Sequence, residues 1–221
     1  MKFGKFHKDS QKRINNENLI YFITSNTFKR YPYFEDSYLA EIWMKELILC
    51  KEIHKFKLYG FALMYDHFHL LIKPNYEIGN HSKIMQFLKR HVSRNINIAM
   101  GCSDGALKNY NLTGDNEGDN GHCRLHYRYY QPKAKIDKFA NELDILKENM
   151  PNIYPKFKWQ KSFHDHYIRN HNDFTKHLTY INSNHLKHNL PVDWKYVSSD
   201  FNLEDKRSNV NNIYDIIDYF Y

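Results

Sequence analysis

Apolar, aromatic and β-branched residues gather in three short runs, Leu19 to Thr27, Lys57 to Met64 and His67 to Lys73, which predict three strands. Between the first two, Leu39, Ile42, Trp43, Leu47 and Ile48 recur at three- and four-residue intervals, predicting an amphipathic helix from Tyr38 to about His54 with Asp36 or Ser37 as its cap. The interval returns over Ser82 to Met100, where Ile84, Phe87, Leu88, His91, Val92 and Ile96 share one face and Lys83, Lys89, Arg90 and Arg94 another. Trp159 to Arg169 resumes strand-like composition. A further helix is expected from about Phe174 to Asn184, capped by Asn172 or Asp173, with Phe174, His177, Leu178 and Ile181 as its apolar positions.

The intervening stretches read differently. Residues 1–16 form a basic arm, and Gly101 to Gly121 reads as a polar surface loop with five glycines. Arg124 to Tyr130 interleaves cations with aromatics, either a base-stacking surface or a short edge strand, and Ile136 to Glu148 reads as a short helix. Asn211 to Tyr221 is acidic and amphipathic, suited to packing on the body or on a partner subunit. The expected organisation is an arm (1–16), a body (17–200) carrying an insertion (101–156), and a C-terminal packing helix (201–221).

Composition narrows the partner class. The chain has 221 residues, 42% hydrophobic with 15 Phe and 18 Tyr, enough for a folded core. Its net charge of +7 favours a polyanion such as nucleic acid. The basic residues placed to meet DNA are Lys5, Lys8 and Arg13 on the arm, Lys89, Arg90 and Arg94 on the second helix, and Arg124 and Arg128 in the insertion. Three widely spaced cysteines suggest reduced thiols and no zinc ribbon. No signal peptide and no apolar run of the ~20 residues needed to span a bilayer are visible, so a cytoplasmic location is expected.

Chemistry concentrates in His67-Phe68-His69. Alternation along a strand sends both imidazoles to one face, which makes half of a divalent-metal site or merely two solvated histidines among 14. On the helix expected from Phe174 to Asn184, Tyr180 and Asn184 stand one turn apart. Asn184 offers an amide oxygen to a hard cation and Tyr180 an oxygen nucleophile, although a tyrosine at this spacing also suits a core or surface role.

Gly60 to Ile72, read with Trp159-Gln160, Phe163-His164-Asp165 and Tyr180-Ile181-Asn182-Ser183-Asn184-His185-Leu186-Lys187-His188, resembles the REP-associated group of single-tyrosine HUH transposases, within the IS200-like superfamily. Asp193 to Ser199 adds a weaker match. The resemblance implies an α+β fold: a ferredoxin-like antiparallel sheet with helices packed on one side, plus a polar loop and small helical insertion. It implies cleavage and strand transfer of single-stranded DNA near hairpins through a covalent 5′-phosphotyrosine. It assigns Tyr180 as nucleophile and His67, His69 and Asn184 as ligands of Mg²⁺ or Mn²⁺, in a monomer or a homodimer of the bacterial cytosol or nucleoid. In some relatives the tyrosine helix serves the neighbouring subunit. Tyr65 and His185 depart from the family's prolines, and the stretch from Gly101 to Pro155 is longer than the family's. Two other readings are a domesticated hairpin-DNA-binding protein with vestigial cleavage, and a histidine-triad-like nucleotide hydrolase, which lacks its third histidine because position 71 is Leu.

Overall fold

The computed structural model describes residues 14–102, 154–198 and 217–218. The expectations for residues 1–13, the 103–153 part of the insertion, and most of the C-terminal segment lie outside them, as do Lys5, Lys8, Arg13, Arg124 and Arg128.

Among the described residues four strands, β1 (Tyr21–Asn26), β2 (Lys57–Leu63), β3 (His67–Lys73) and β4 (His164–Tyr167), form one antiparallel sheet in the order β2-β3-β1-β4. Among the described residues three α-helices accompany them: α1 (Ser37–His54), α2 (His81–Ala99) and α3 (His171–Lys187). The fold is α+β. Among the described residues, no helix is long and apolar enough to cross a membrane.

The helices cover both faces of the sheet, not one. Phe68, Leu70 and Ile72 join Tyr21 and Ile23 in a core with α1 and α2, where Trp43 lies 5.1 Å from the Phe68 ring. On the opposite face Ala62, Met64 and Leu71 meet Phe174 and Ile181 of α3. Burial on both faces explains why β2 and β3 are buried along almost their whole length, without the alternation of a half-solvated strand.

Local chemistry sets the helix ends. Asp36 caps α1 by accepting from the Tyr38 amide, and Asn80 caps α2 by accepting from that of Lys83. The cap of α3 is Asn170, whose side chain accepts from Asp173 N, so this helix starts before Asn172 and Asp173, the residues expected to cap it. Trp159 to Arg169 is likewise not one strand. Trp159 makes a single bridge to Thr27, Lys89 binds the carbonyls of Gln160 and Ser162, and ladder pairing is confined to His164–Tyr167.

A bulge at Tyr59 shifts the β2–β3 register so that Gly60 stands opposite Leu71 and Ala62 opposite His69. These two small residues floor the approach of α3: a Cβ on Gly60 would lie 3.0 Å from Leu178 Cδ1 and 3.2 Å from Ser198 Oγ. The outer edge of β2 is covered. Ser198 N donates to Phe61 O, Leu63 N to Tyr196 O, and Asp218 brackets Leu58 through both its amide and its carboxylate. Asp218 and Ile217, the described residues of the C-terminal segment, carry no regular secondary structure.

Candidate active site

Pairing of β1 with β3 and β4 arranges the α3 face of the sheet in cross-strand rows. His69 is opposite Thr24, which is opposite His164 on its other side; Leu71 is opposite Phe22, which is opposite His166. His67 is opposite Asn26. Both motif histidines are buried, 3% and 4% exposed, with ring centroids 5.0 Å apart.

Each imidazole is held through Nδ1. His67 Nδ1 lies 2.6 Å from Asp66 Oδ1, and Asp66 Oδ2 pairs at 2.8 Å with Arg30 Nε. His69 Nδ1 lies 2.8 Å from Thr24 Oγ1. When Nδ1 carries the proton toward these oxygens, Nε2 presents its lone pair, the arrangement usual for metal-binding histidines. Arg30 reaches Asp66 from a turn in which Lys29 and Arg30 both adopt positive φ, 56° and 57°, an uncommon conformation for side-chain-bearing residues. Burial, then the charges of His67, His188 and Arg30, push the pKa of His69 down to about 3, so its ring is neutral at physiological pH. Asp66 loses some acidity to burial, but its bond to His67 and the charges of His67 and Arg30 outweigh this and hold it below the usual carboxylate value.

Helix α3 brings the remaining residues. Tyr180, Asn184 and His188, the last being the C-cap residue, recur every four positions and form one stripe. The Tyr180 ring sits edge-on to His69 at 5.2 Å, and the His188 ring edge-on to His67 at 4.8 Å. Asn184 lies between these two contacts along the helix. It is fully buried, and neither of its amide atoms has a hydrogen-bond partner among the described residues; His69 Nε2 is orphaned in the same way. Buried polar groups without partners cost about 1–3 kcal/mol each. Two imidazole nitrogens and an amide oxygen form a donor set that accepts a divalent cation, so these residues fit one. Lys187 Nζ lies 4.5 Å above the Tyr180 ring, placing positive charge beside the phenol.

Residues 15–112 match the model of the family described as Transposase IS200 like. The chain is similar to that family over somewhat less than half of its length. The matched range contains His67 and His69 and ends before α3. Structural similarity extends further: a solved structure of a REP-associated tyrosine transposase bound to a REP hairpin superposes with TM-score 0.54 over 86% of this chain and 82% of that one, at 16% identity, which establishes a shared fold. A candidate transposase from Deinococcus radiodurans R1 aligns at TM-score 0.31 and 17% identity over 65% of this chain and 98% of its own. No curated protein sequence matches.

Tyr180 stands against the histidine pair of its own subunit. The basic residues expected to meet DNA divide. Arg90 and Arg94 are exposed on α2, whereas the Lys89 ammonium is held by two carbonyls and lies over the Trp159 ring at 5.9 Å. Thr24, Arg30, Asp66 and His188 were not picked out from the sequence. Asp66 adjoins the first histidine and was open to inspection, but Thr24 becomes a partner only once the β1–β3 register is known.

Proposed function

We propose that this chain is an IS200-like transposase that cleaves single-stranded DNA near hairpins and transfers the cut strand through Tyr180. The observation that carries the reading is the juxtaposition of a buried histidine pair with Tyr180 and an unpartnered, buried Asn184 on one helix. His67, His69 and Asn184 would hold a Mg²⁺ or Mn²⁺ ion, whose contribution is to offset charge on the scissile phosphate. The Tyr180 oxygen attacks that phosphorus: a phosphotyrosine bond forms, the bond to the 3′ oxygen breaks, and the 3′ end leaves as a hydroxyl. Because the phosphotyrosine conserves the energy of the broken bond, rejoining needs no nucleotide cofactor.

Around the nucleophile, Asp66 and Thr24 orient the imidazoles and Lys187 adds charge complementary to an approaching phosphate. A hairpin is the substrate we favour, since the structural relative is bound to a REP hairpin. Of the basic residues expected to meet DNA, Arg90 and Arg94 are described, exposed and available to its backbone, and the protein would act at DNA in the bacterial cytosol.

The test is a single-stranded oligonucleotide carrying a hairpin, incubated with the protein and Mn²⁺ and resolved under denaturing conditions. A protein–DNA adduct that disappears in Tyr180→Phe is expected. Survival of the adduct in that variant would move the nucleophile elsewhere, and hairpin binding with no adduct under either metal would leave a DNA-binding protein without cleavage.

A further inference from the structure

A second group of metal-ligating side chains lies beside the histidine pair. His166 projects from β4 on the sheet face that carries His67 and His69, as the cross-strand partner of Phe22. Asp173 and His177 belong to the first turns of α3, four residues apart. One donor atom from each of the three lies within 4.8 Å of the other two, and among the described residues no other group of three His, Cys, Asp or Glu converges in this way.

Two of the separations are as short as those between ligands of one ion. His166 Nε2 stands 2.9 Å from Asp173 Oδ2, and His177 Nδ1 stands 3.2 Å from Asp173 Oδ1. Donors bound to one cation at about 2.0–2.2 Å, at tetrahedral to octahedral angles, are themselves about 3–3.5 Å apart. Arg169 N donates to Asp173 Oδ2 and holds the carboxylate in place, whereas His177 Nδ1 donates to the Asp173 carbonyl at 2.8 Å and would give up that proton and contact on binding an ion. The two imidazoles stack at 4.8 Å, with side chains 31%, 18% and 20% exposed for His166, Asp173 and His177, so an ion and a completing water have access.

The geometry points to a second divalent-metal site formed by His166, Asp173 and His177, distinct from the His67–His69 pair and suited to a borderline transition ion such as Zn²⁺ or Co²⁺. Two imidazoles and one carboxylate form a donor set such ions prefer. The Phe22 ring links the two sites, 4.6 Å from His177 and 5.2 Å from His69. Bound there, the ion would tie the four-residue edge strand β4 to the helix that carries Tyr180.

This inference does not depend on the proposed cleavage chemistry, and its experiment bypasses that chemistry. The full chain with His67→Ala and His69→Ala is titrated with Co²⁺ while visible absorbance and thermal unfolding are followed. We expect about one Co²⁺ per chain with d–d bands, and a rise in melting temperature. In the same background His166→Gln and His177→Gln should each weaken binding at least about tenfold. Asp173→Asn should do the same; as this residue also supports the helix start, the two histidine variants, checked for native circular dichroism, decide if it fails to fold. No Co²⁺ bound by the His67→Ala/His69→Ala chain, or undiminished binding after both His166→Gln and His177→Gln, would overturn the site.

Discussion

Thr24 Oγ1 holds His69 Nδ1 at 2.8 Å across the β1–β3 ladder. A hydroxyl on the central strand thereby sets which nitrogen of a buried imidazole faces α3. Thr24→Val keeps the shape and the strand propensity and removes the hydroxyl. Mn²⁺ affinity, measured by calorimetry, should fall about 10- to 100-fold while the fold persists.

Asn184 carries the opposite balance of stability and function. Its two amide atoms are buried without partners, so Asn184→Leu removes a desolvation cost at nearly constant volume. Chemical denaturation without metal should show the variant unchanged or up to about 2 kcal/mol more stable, while its Mn²⁺ affinity collapses. A large loss of metal-free stability would mean the amide is satisfied in solution.

The depressed pKa of His69 predicts a pH dependence of a definite sign. The unfolded chain takes up a proton there as pH falls through 6.5, and the native chain only near 3. Stability is therefore full above that window and declines within it by up to about 1.4 kcal/mol per pH unit. His188, lowered by burial and by the charge of His67, acts in the same direction. Asp66 and Asp173, held below 3.8, withdraw their contributions only in more acidic solution. Urea melts at mildly acidic pH should show a shallower decline in His69→Gln than in the parent; equal slopes would exclude His69 as the source.

Gly60 sets how closely α3 approaches the sheet. Gly60→Val places its Cβ 3.0 Å from Leu178 Cδ1, where the leucine must turn away or the helix must lift. A cost of about 1–3 kcal/mol is expected in thermal or denaturant unfolding. Adduct formation should drop by more than the loss of folded protein explains, and Leu178→Ala in the same chain should recover part of both.

Much of this was legible in the residues. β3 runs from His67 to Lys73, where composition placed it, because Pro74 and the Tyr65-Asp66 turn bound it on both sides. α1 and α2 begin within one residue of the expected positions because their apolar intervals are long and regular. α3 begins earlier than expected because its first turn, His171-Asn172-Asp173, is polar and shows no periodicity, while Asn170 supplies the cap. The pairing of Tyr180 and Asn184 survived that error, since their spacing is local. His166, Asp173 and His177 were each visible as residues but not as a group. Their meeting depends on which residue of β4 pairs with Phe22 and on where α3 starts, and both are tertiary facts. The helices on two faces have a similar origin: the unbroken apolar character of β2 and β3 signals double coverage, yet the expectation of one-sided packing came with the family resemblance.

The separation of Tyr180 from His69 along the chain has a consequence during synthesis. The histidine strand and its partners Thr24 and Asp66 emerge from the ribosome well before α3, and β1 can pair with β3 while its other edge still awaits β4. A nascent chain that has reached Met100 holds both imidazoles but neither Asn184 nor the proposed nucleophile. The proposed DNA cutting would thereby be deferred until α3 is made and docked onto Gly60 and Ala62, leaving an abortively terminated chain unarmed.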